Sequence, residues 1–410
     1  MHYVLIGNSI ASTGCIEAIR KYDTESVITV FGDEPHQCYA RPLISYLLQK
    51  KTSIQNMDYR PTEFYEKHSV VLRLGCKVTA LDTKKKKLTC EDGETVHYDK
   101  LLIATGSSPF IPPMKNLSCV KKQFTFMTLS DAQQLDQAIN AESRVLILGA
   151  GLIGLKCAEG ILKMVKNITI VDLADRILPS ILDAEGSARV QQHLEKEGIA
   201  FHLKDSVPEF LREEALLKSG KVIGFDVLVI AVGVRPNIHL AKDAGLEVDR
   251  GILIDYRSQT SCEDIYAAGD CAQGWDLTTQ AKRVLPLLGN AFMQGECAGA
   301  NMAGVEVRFD KAIAMNAIGF FGLHIITAGI YEGKDTIIAS TNGYKRLFVQ
   351  GDYLVGYILV GDTVERAGIY TSLIRERTPL SSLDFPLISE QPALMAFAQQ
   401  VRKQQLGRVQ

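Results

Sequence analysis

The 410-residue sequence lacks any C-x-x-C pair, and its nine cysteines are odd in number and scattered. This pattern argues against a disulfide framework, a zinc site or an iron–sulfur cluster held by this chain, so no metal is expected. It fits a reducing cytoplasm. Strong charge of either sign is also missing: the formal net charge is -2, which implies no general attraction to nucleic acid or anionic lipid. The basic run Lys84 to Lys87 lies between "CKVTALDT" and "LTCEDGETVHY" and reads as a solvated hairpin end rather than a phosphate patch. Long apolar runs are absent. "NAIGFFGLHIITAGIY" is interrupted by Asn316, His324 and several glycines, is too short to span a bilayer, and reads as buried strand or helix with a structural histidine. The first apolar run has no basic segment before it and reads as a strand entering a glycine turn rather than a signal peptide. No convincing His/Asp/Ser triad is present.

What remains is a chain with 46% hydrophobic and 22% charged residues, long enough for two or three domains. Its clearest motif is "RVLILGAGLIGLKCAEGI": a buried β-run, a G-x-G-x-x-G turn and an amphipathic helix. Gly149 makes the turn, Gly151 admits a pyrophosphate, and Gly154 lets helix approach strand. About two dozen residues later, "NITIVDL" brings a strand to Asp172, whose carboxylate would accept ribose hydroxyls of NADH and repel the extra phosphate of NADPH. The opening stretch "VLIGNSIASTG" repeats the design with Gly7 in place but Ser9 and Ser12 at the inner positions. A Ser9 hydroxyl could donate to a phosphate if φ stays negative, and Ser12 should widen the helix–strand spacing slightly. The following strand, "SVITVFGDEP", ends near Glu34.

Further repeats accompany the loops. "YDKLLIATGSSPFIPP" and "FDVLVIAVGVRPN" are both strands that run into small-residue turns, at Thr105 and Gly106 and at Gly233, and "DIYAAGDCAQ" sets Asp270 after a strand, where it could bond a polyol. The set resembles, over nearly the whole chain, the two-dinucleotide flavoproteins that include glutathione-reductase-like enzymes. Within them it is most similar to NADH:rubredoxin oxidoreductases and the flavin module of bacterial nitrite reductases. The resemblance implies that Gly7, Ser9, Ser12, Glu34, Val78, Thr105, Gly106 and Asp270 hold FAD, and that Gly149, Gly151, Gly154, Asp172 and Gly233 hold NADH. "CYARPLIS" follows a Tyr-x-Arg-Pro-x-Leu-Ser pattern except for Ile44 in the leucine place, which adds Arg41 and Ser45 as FAD contacts. The implied fold is α/β: two Rossmann-like βαβ nucleotide-binding domains, plus a small α+β C-terminal domain. Residues 1–113 and 236–310 would form an FAD domain, split by an NAD domain at 114–235, with the C-terminal domain at 311–410.

Disulfide reductases of this family carry C-x-x-x-x-C beside the flavin, but here Cys38 is followed five residues later by Leu43, so no dithiol relay is possible there. Cys38 and Cys271 are expected to be ordinary thiols. The resemblance then implies hydride transfer from NADH to FAD and electron delivery to a small redox protein, rubredoxin or a ferredoxin-like iron–sulfur protein. Relatives that place a lysine just after the Ser45 position and a glutamate four residues into the second helix are met here by Tyr46 and Lys156. Lys156 is thus a candidate for tuning the flavin and nicotinamide, or a lysine on an exposed helix face. The alternatives are an NADH oxidase, a peroxide or persulfide reductase, and a non-catalytic nucleotide-binding electron-transfer subunit. Nitrite reduction would need cluster and sirohaem cysteines that could only lie on a partner.

Overall fold

The computed structural model describes residues 1–393. The two loops and the strands around them build two five-stranded, wholly parallel sheets. The first has the order Ile265–Ala267, Lys100–Ile103, His2–Ile6, Val27–Phe31, Val70–Arg73. The second has the order Ile199–Leu203, Asn167–Asp172, Arg144–Leu148, Val227–Ile230, Gln123–Phe124. Continuous apolar runs such as "YVLI" and "VLIL" are what a sheet covered on both faces requires, and both runs are buried. Each half also carries a three-stranded antiparallel meander, at Val78–Asp82, Lys87–Cys90 and Thr95–His97 and at Glu209–Phe210, Glu214–Leu216 and Val222–Gly224. Lys84 to Lys86 form the turn of the first meander.

The exits of strands Lys100–Ile103 and Val227–Ile230 meet. Ser107–Pro109 and Val234–Pro236 pair as a two-stranded antiparallel ribbon. The Thr105 hydroxyl donates to Asn237 O at 2.8 Å, and the Asn237 amide donates to Thr105 O at 2.8 Å.

The chain divides into two compact units. One comprises 1–175, 198–276 and 281–312 and holds both parallel sheets; the other comprises 176–197, 277–280 and 313 onward. The second unit is built on a five-stranded antiparallel sheet in the order Met315–Phe320, Leu323–Gly329, Tyr353–Gly361, Gly343–Gln350, Lys334–Ala339, with helices Ala184–Lys196, Ala367–Arg375 and Phe385–Glu390. The stretch expected as one buried strand or helix is instead a half-buried hairpin. Its turn, Phe321 and Gly322, lies between the paired Phe320 and Leu323, and both turn residues have positive φ. His324 is exposed on that hairpin rather than buried. Among the described residues, no helix is long and apolar enough to cross a membrane.

Candidate functional site

The two glycine turns are superimposable in their chemistry. Gly7 and Gly149 hold φ of +108° and +107°, and a methyl group on either would strike the exit of the neighbouring strand, at 2.1 Å from Ala104 O or 2.3 Å from Ala231 O. Glycine is required twice for the same reason. Ser9 and Gly151, which open the helices Ile10–Tyr22 and Leu152–Ile161, keep negative φ of -140° and -84°. Serine is therefore tolerated at the first. Neither helix has a side-chain cap or an acidic residue in its first turn, so the leading N–H groups remain for an anion. Nothing lies within 4 Å of the place a Gly151 Cβ would take, which leaves the close approach a pyrophosphate needs.

The third loop position separates the halves. A methyl on Gly154 would stand 2.1 Å from Gly149 O, so no serine fits there. Ser12 is fully buried, yet its hydroxyl donates to Gly7 O at 2.5 Å, which shows more room between helix and turn in the first loop. The serine fills that room with a hydrogen bond.

The strand-end carboxylates differ as well. Asp172 ends its strand and accepts from Ala150 N at 2.6 Å and Ala174 N at 2.7 Å, bracing the loop while each oxygen keeps a further lone pair. In the first half, strand pairing aligns Ile6 with Phe31 as it aligns Leu148 with Val171, so the slot equivalent to Asp172 is Gly32. Glu34 lies two residues past that slot. It accepts from Tyr39 Oη at 2.7 Å and forms an ion pair with Arg41. Tyr39 also accepts from Leu129 N at 2.9 Å. Sequence reasoning missed Tyr39, although it lies inside the quoted Tyr-x-Arg pattern. Val78 opens the first meander, two residues after Cys76, whose N–H donates to Gly32 O at 2.9 Å.

Asp270 sits in the short turn Gly269–Cys271 and accepts from the Ser107 hydroxyl at 2.8 Å. Burial pushes its carboxyl above the usual range, against the pull of the Ser107 bond and the Arg41 charge. One guanidinium therefore acts on two carboxylates, Glu34 and Asp270. A polyanionic ligand carrying hydroxyls fits this donor set: uncapped helix N–H groups and Arg41 for phosphate, and Asp270 for hydroxyls. Gly106 has φ +67° and open space beside it; Gly233 has φ +121°, and its carbonyl accepts from Phe110 N at 2.9 Å. The Ser45 hydroxyl, by contrast, turns back to Pro42 O at 3.2 Å.

Cys38 is 4% exposed and burial pushes its thiol up to about 11, so it is protonated at neutral pH. Cys271 is fully buried and likewise raised. Lys156 does not extend from an exposed face. Its side chain is 17% exposed, forms an ion pair with the buried Glu159, and stands 4.9 Å from the centre of the Tyr46 ring. Glu159 was legible as an i,i+3 partner on the same helix, but its burial was not.

The profile of the pyridine nucleotide-disulphide oxidoreductase family matches residues 1–295. The chain is 32% identical over 386 residues to the assimilatory nitrate reductase electron transfer subunit of Bacillus subtilis, covering 91% of this chain and 49% of that one. It is 32% identical over 310 residues to the ferredoxin–NAD(+) reductase subunit of the benzene 1,2-dioxygenase system of Pseudomonas putida, covering 75% of each. The first curated relatives it matches are about twice its length. Its fold is that seen in the covalent putidaredoxin reductase–putidaredoxin complex, with a TM-score of 0.88 and 24% identity over 96% of this chain and 97% of that one. Paired turns, uncapped helices and a match spanning most of the chain lead to one assignment: this protein belongs to the pyridine nucleotide-disulphide oxidoreductase family, in a form without C-x-x-x-x-C.

Proposed function

We propose that the protein is an FAD-dependent oxidoreductase that takes hydride from NADH and passes electrons to a small redox protein, rubredoxin or a ferredoxin-like iron–sulfur protein. The observation that carries this reading is the duplication: two strand–turn–helix units, each with its turn glycine pressed on the exit of a neighbouring parallel strand and its helix N-terminus uncapped. When bound, FAD and NADH supply the hydride and single-electron chemistry themselves. The chain has to bind, orient and neutralise. Gly7, Ser9 and Ser12 would shape the FAD pyrophosphate loop, Arg41 and Asp270 would meet phosphate and hydroxyls, and Glu34, Ser45, Val78, Thr105 and Gly106 would complete that site. Gly149, Gly151, Gly154 and Gly233 would do the same for NADH, and Lys156 would stabilise negative charge on the reduced flavin. The preference for NADH over NADPH rests on Asp172, whose carboxylate repels a ribose phosphate. The relative named as a ferredoxin–NAD(+) reductase subunit supports both the nucleotide and the class of partner.

An FAD domain of residues 1–113 and 236–310, an NAD domain of 114–235 and a C-terminal domain from 311 belong to the same reading. So does a cytoplasmic location, in keeping with nine free cysteines. A thiol-based oxidase or peroxide reductase is disfavoured by the burial and raised pKa of Cys38.

The test is the visible spectrum during anaerobic NADH titration. Flavin bands that bleach at about one NADH per flavin are expected, since no dithiol stores further electrons. A colourless protein that takes up no added FAD would overturn the reading.

A further inference from the structure

The first meander brings two thiols together. Cys90 ends the strand Lys87–Cys90, is 2% exposed, and belongs to the core cluster that also holds Phe31, Leu88 and Leu101. The half-buried Cys76 packs against the same cluster, and its thiol hydrogen-bonds with that of Cys90. Strand pairing explains the meeting. Cys90 lies opposite Val78, and Glu91 N donates to Lys77 O at 2.8 Å, so Cys76 is the diagonal neighbour of Cys90 on one face of the ladder. Diagonal Cα atoms of an antiparallel pair stand about 7–8 Å apart, whereas a disulfide holds them at about 4.4–6.8 Å. Joining the two sulfurs therefore takes a backbone shift of about 1 Å.

Cys90 cannot supply that shift easily, because it lies on the central strand of the meander, paired on both sides. Cys76 stands on the loop between the strands Val70–Arg73 and Val78–Asp82 and is the one to move. That loop is tied to the end of the strand Val27–Phe31: Gly32 N donates to Arg73 O at 2.9 Å, Cys76 N to Gly32 O at 2.9 Å, and Gly75 N to Glu34 O at 3.2 Å. A displaced Cys76 thus pulls on Gly32 and Glu34 through the backbone.

We propose that Cys76 and Cys90 form a reversible disulfide, and that closing it displaces Gly32 and Glu34 and loosens the hold on the first dinucleotide. The oxidant is a low-molecular-weight disulfide. Cys76, the more accessible thiol, loses its proton and attacks it, forming a mixed disulfide as half of the oxidant leaves as a thiolate. Cys90 then loses its proton and attacks the Cys76 sulfur, forming the protein disulfide and expelling the other half. Two protein thiols are oxidised, one small disulfide is reduced to two thiols, and the two protons released end on those thiols. Burial pushes the Cys90 thiol up to about 12, which makes it the second to react and the slower. The cross-link stands on the meander alone; its effect on FAD rests on the function proposed above.

In the experiment, the full-length protein is reduced, freed of reductant, incubated with glutathione disulfide and digested without reduction. Mass spectrometry is expected to find a peptide linking Cys76 to Cys90, with the exposed Cys119 as internal reference for glutathionylation. Cys90→Ala should stop at glutathione on Cys76. Cys76→Ser should leave Cys90 unmodified, and it serves if the core variant does not fold. FAD release from flavin-loaded protein, followed by flavin fluorescence, is expected to become about tenfold faster on oxidation, to recover with dithiothreitol, and to stay constant in Cys76→Ser. Glutathione on Cys119 without a Cys76–Cys90 link, or a link that leaves FAD release unchanged, would overturn the proposal. A protein that takes up no FAD would overturn the proposed function and with it the effect on FAD, while the linked peptide is read without any flavin.

Discussion

One methyl group, placed three residues apart in the second loop, should have opposite effects. At Gly154 the new Cβ would lie 2.1 Å from Gly149 O, and Gly149 cannot retreat because its own Cβ direction is blocked by Ala231 O at 2.3 Å. Helix and strand must part by about 1 Å, an overpacking that costs about 1–3 kcal/mol. At about 2–4 °C per kcal/mol for a domain of this size, Gly154→Ala should melt several degrees early. At Gly151 the Cβ meets nothing within 4 Å and φ is -84°, so the folded protein accommodates it. The cost is at most about 1 kcal/mol from a poorer helix cap. That open space is where a pyrophosphate would approach, so Gly151→Ala should lose a charge-assisted hydrogen bond of about 1.5–3 kcal/mol. This corresponds to a weakening of NADH binding of about 10-fold to 100-fold. Circular dichroism melts and fluorescence titration with NADH on both variants decide the matter. If Gly154→Ala melts with the wild type, or Gly151→Ala binds NADH normally, the assignment of one glycine to packing and the other to ligand approach is wrong.

Further outcomes follow from the same geometry. Ser12→Ala leaves the partly buried Gly7 carbonyl without the Ser12 donor and should lower stability by about 1 kcal/mol, read as a lower urea midpoint and faster loss of flavin. Asp172→Ala should raise the KM for NADH about tenfold and narrow its advantage over NADPH, since the substitution removes both the repelling charge and the brace on Ala150 N; an unchanged NADH/NADPH ratio in steady-state rates would refute this. In the second unit, Asp183 caps the helix Ala184–Lys196, accepts from Tyr344 Oη and pairs with Arg346 at 2.7 Å. Burial would raise its pKa, but those bonds win and hold it below the usual carboxylate range. Its stabilisation is therefore complete above the pKa of an unfolded aspartate and is lost as pH falls toward the depressed native value. Asp183→Asn should cost about 2 kcal/mol at neutral pH and flatten the acid side of the stability profile; parallel acid profiles for the two proteins would count against it.

The duplicated core was legible because its signals are local: a turn glycine, an apolar run of strand length and a helix that starts inside the turn can each be read within a dozen residues. The details that escaped depend on partners far along the chain. Strand pairing, not spacing, decides that Gly32 occupies the slot of Asp172 and that Glu34 is left to Arg41 and Tyr39. Of the two readings of Lys156, the exposed-face one failed because helix Ile44–Leu48, more than a hundred residues earlier, sets Tyr46 against it. The hairpin at 315–329 was hidden by its turn: Phe321 takes positive φ, where Asn or Asp would have announced it.

The ribbon of Ser107–Pro109 with Val234–Pro236 bears on how such a chain could have been assembled. Because Pro109 pairs with Val234, the path leaves the first sheet and returns to it at neighbouring points about 5 Å apart, whatever happens between. An excursion of more than a hundred residues thus closes with almost no loop entropy charged to its host. Joining Pro109 to Val234 by a two-residue turn would restore an ordinary hairpin, and the excised piece carries its own parallel sheet. The second half can be viewed as a module inserted at a surface turn of the first, with its point of entry visible as two paired strands.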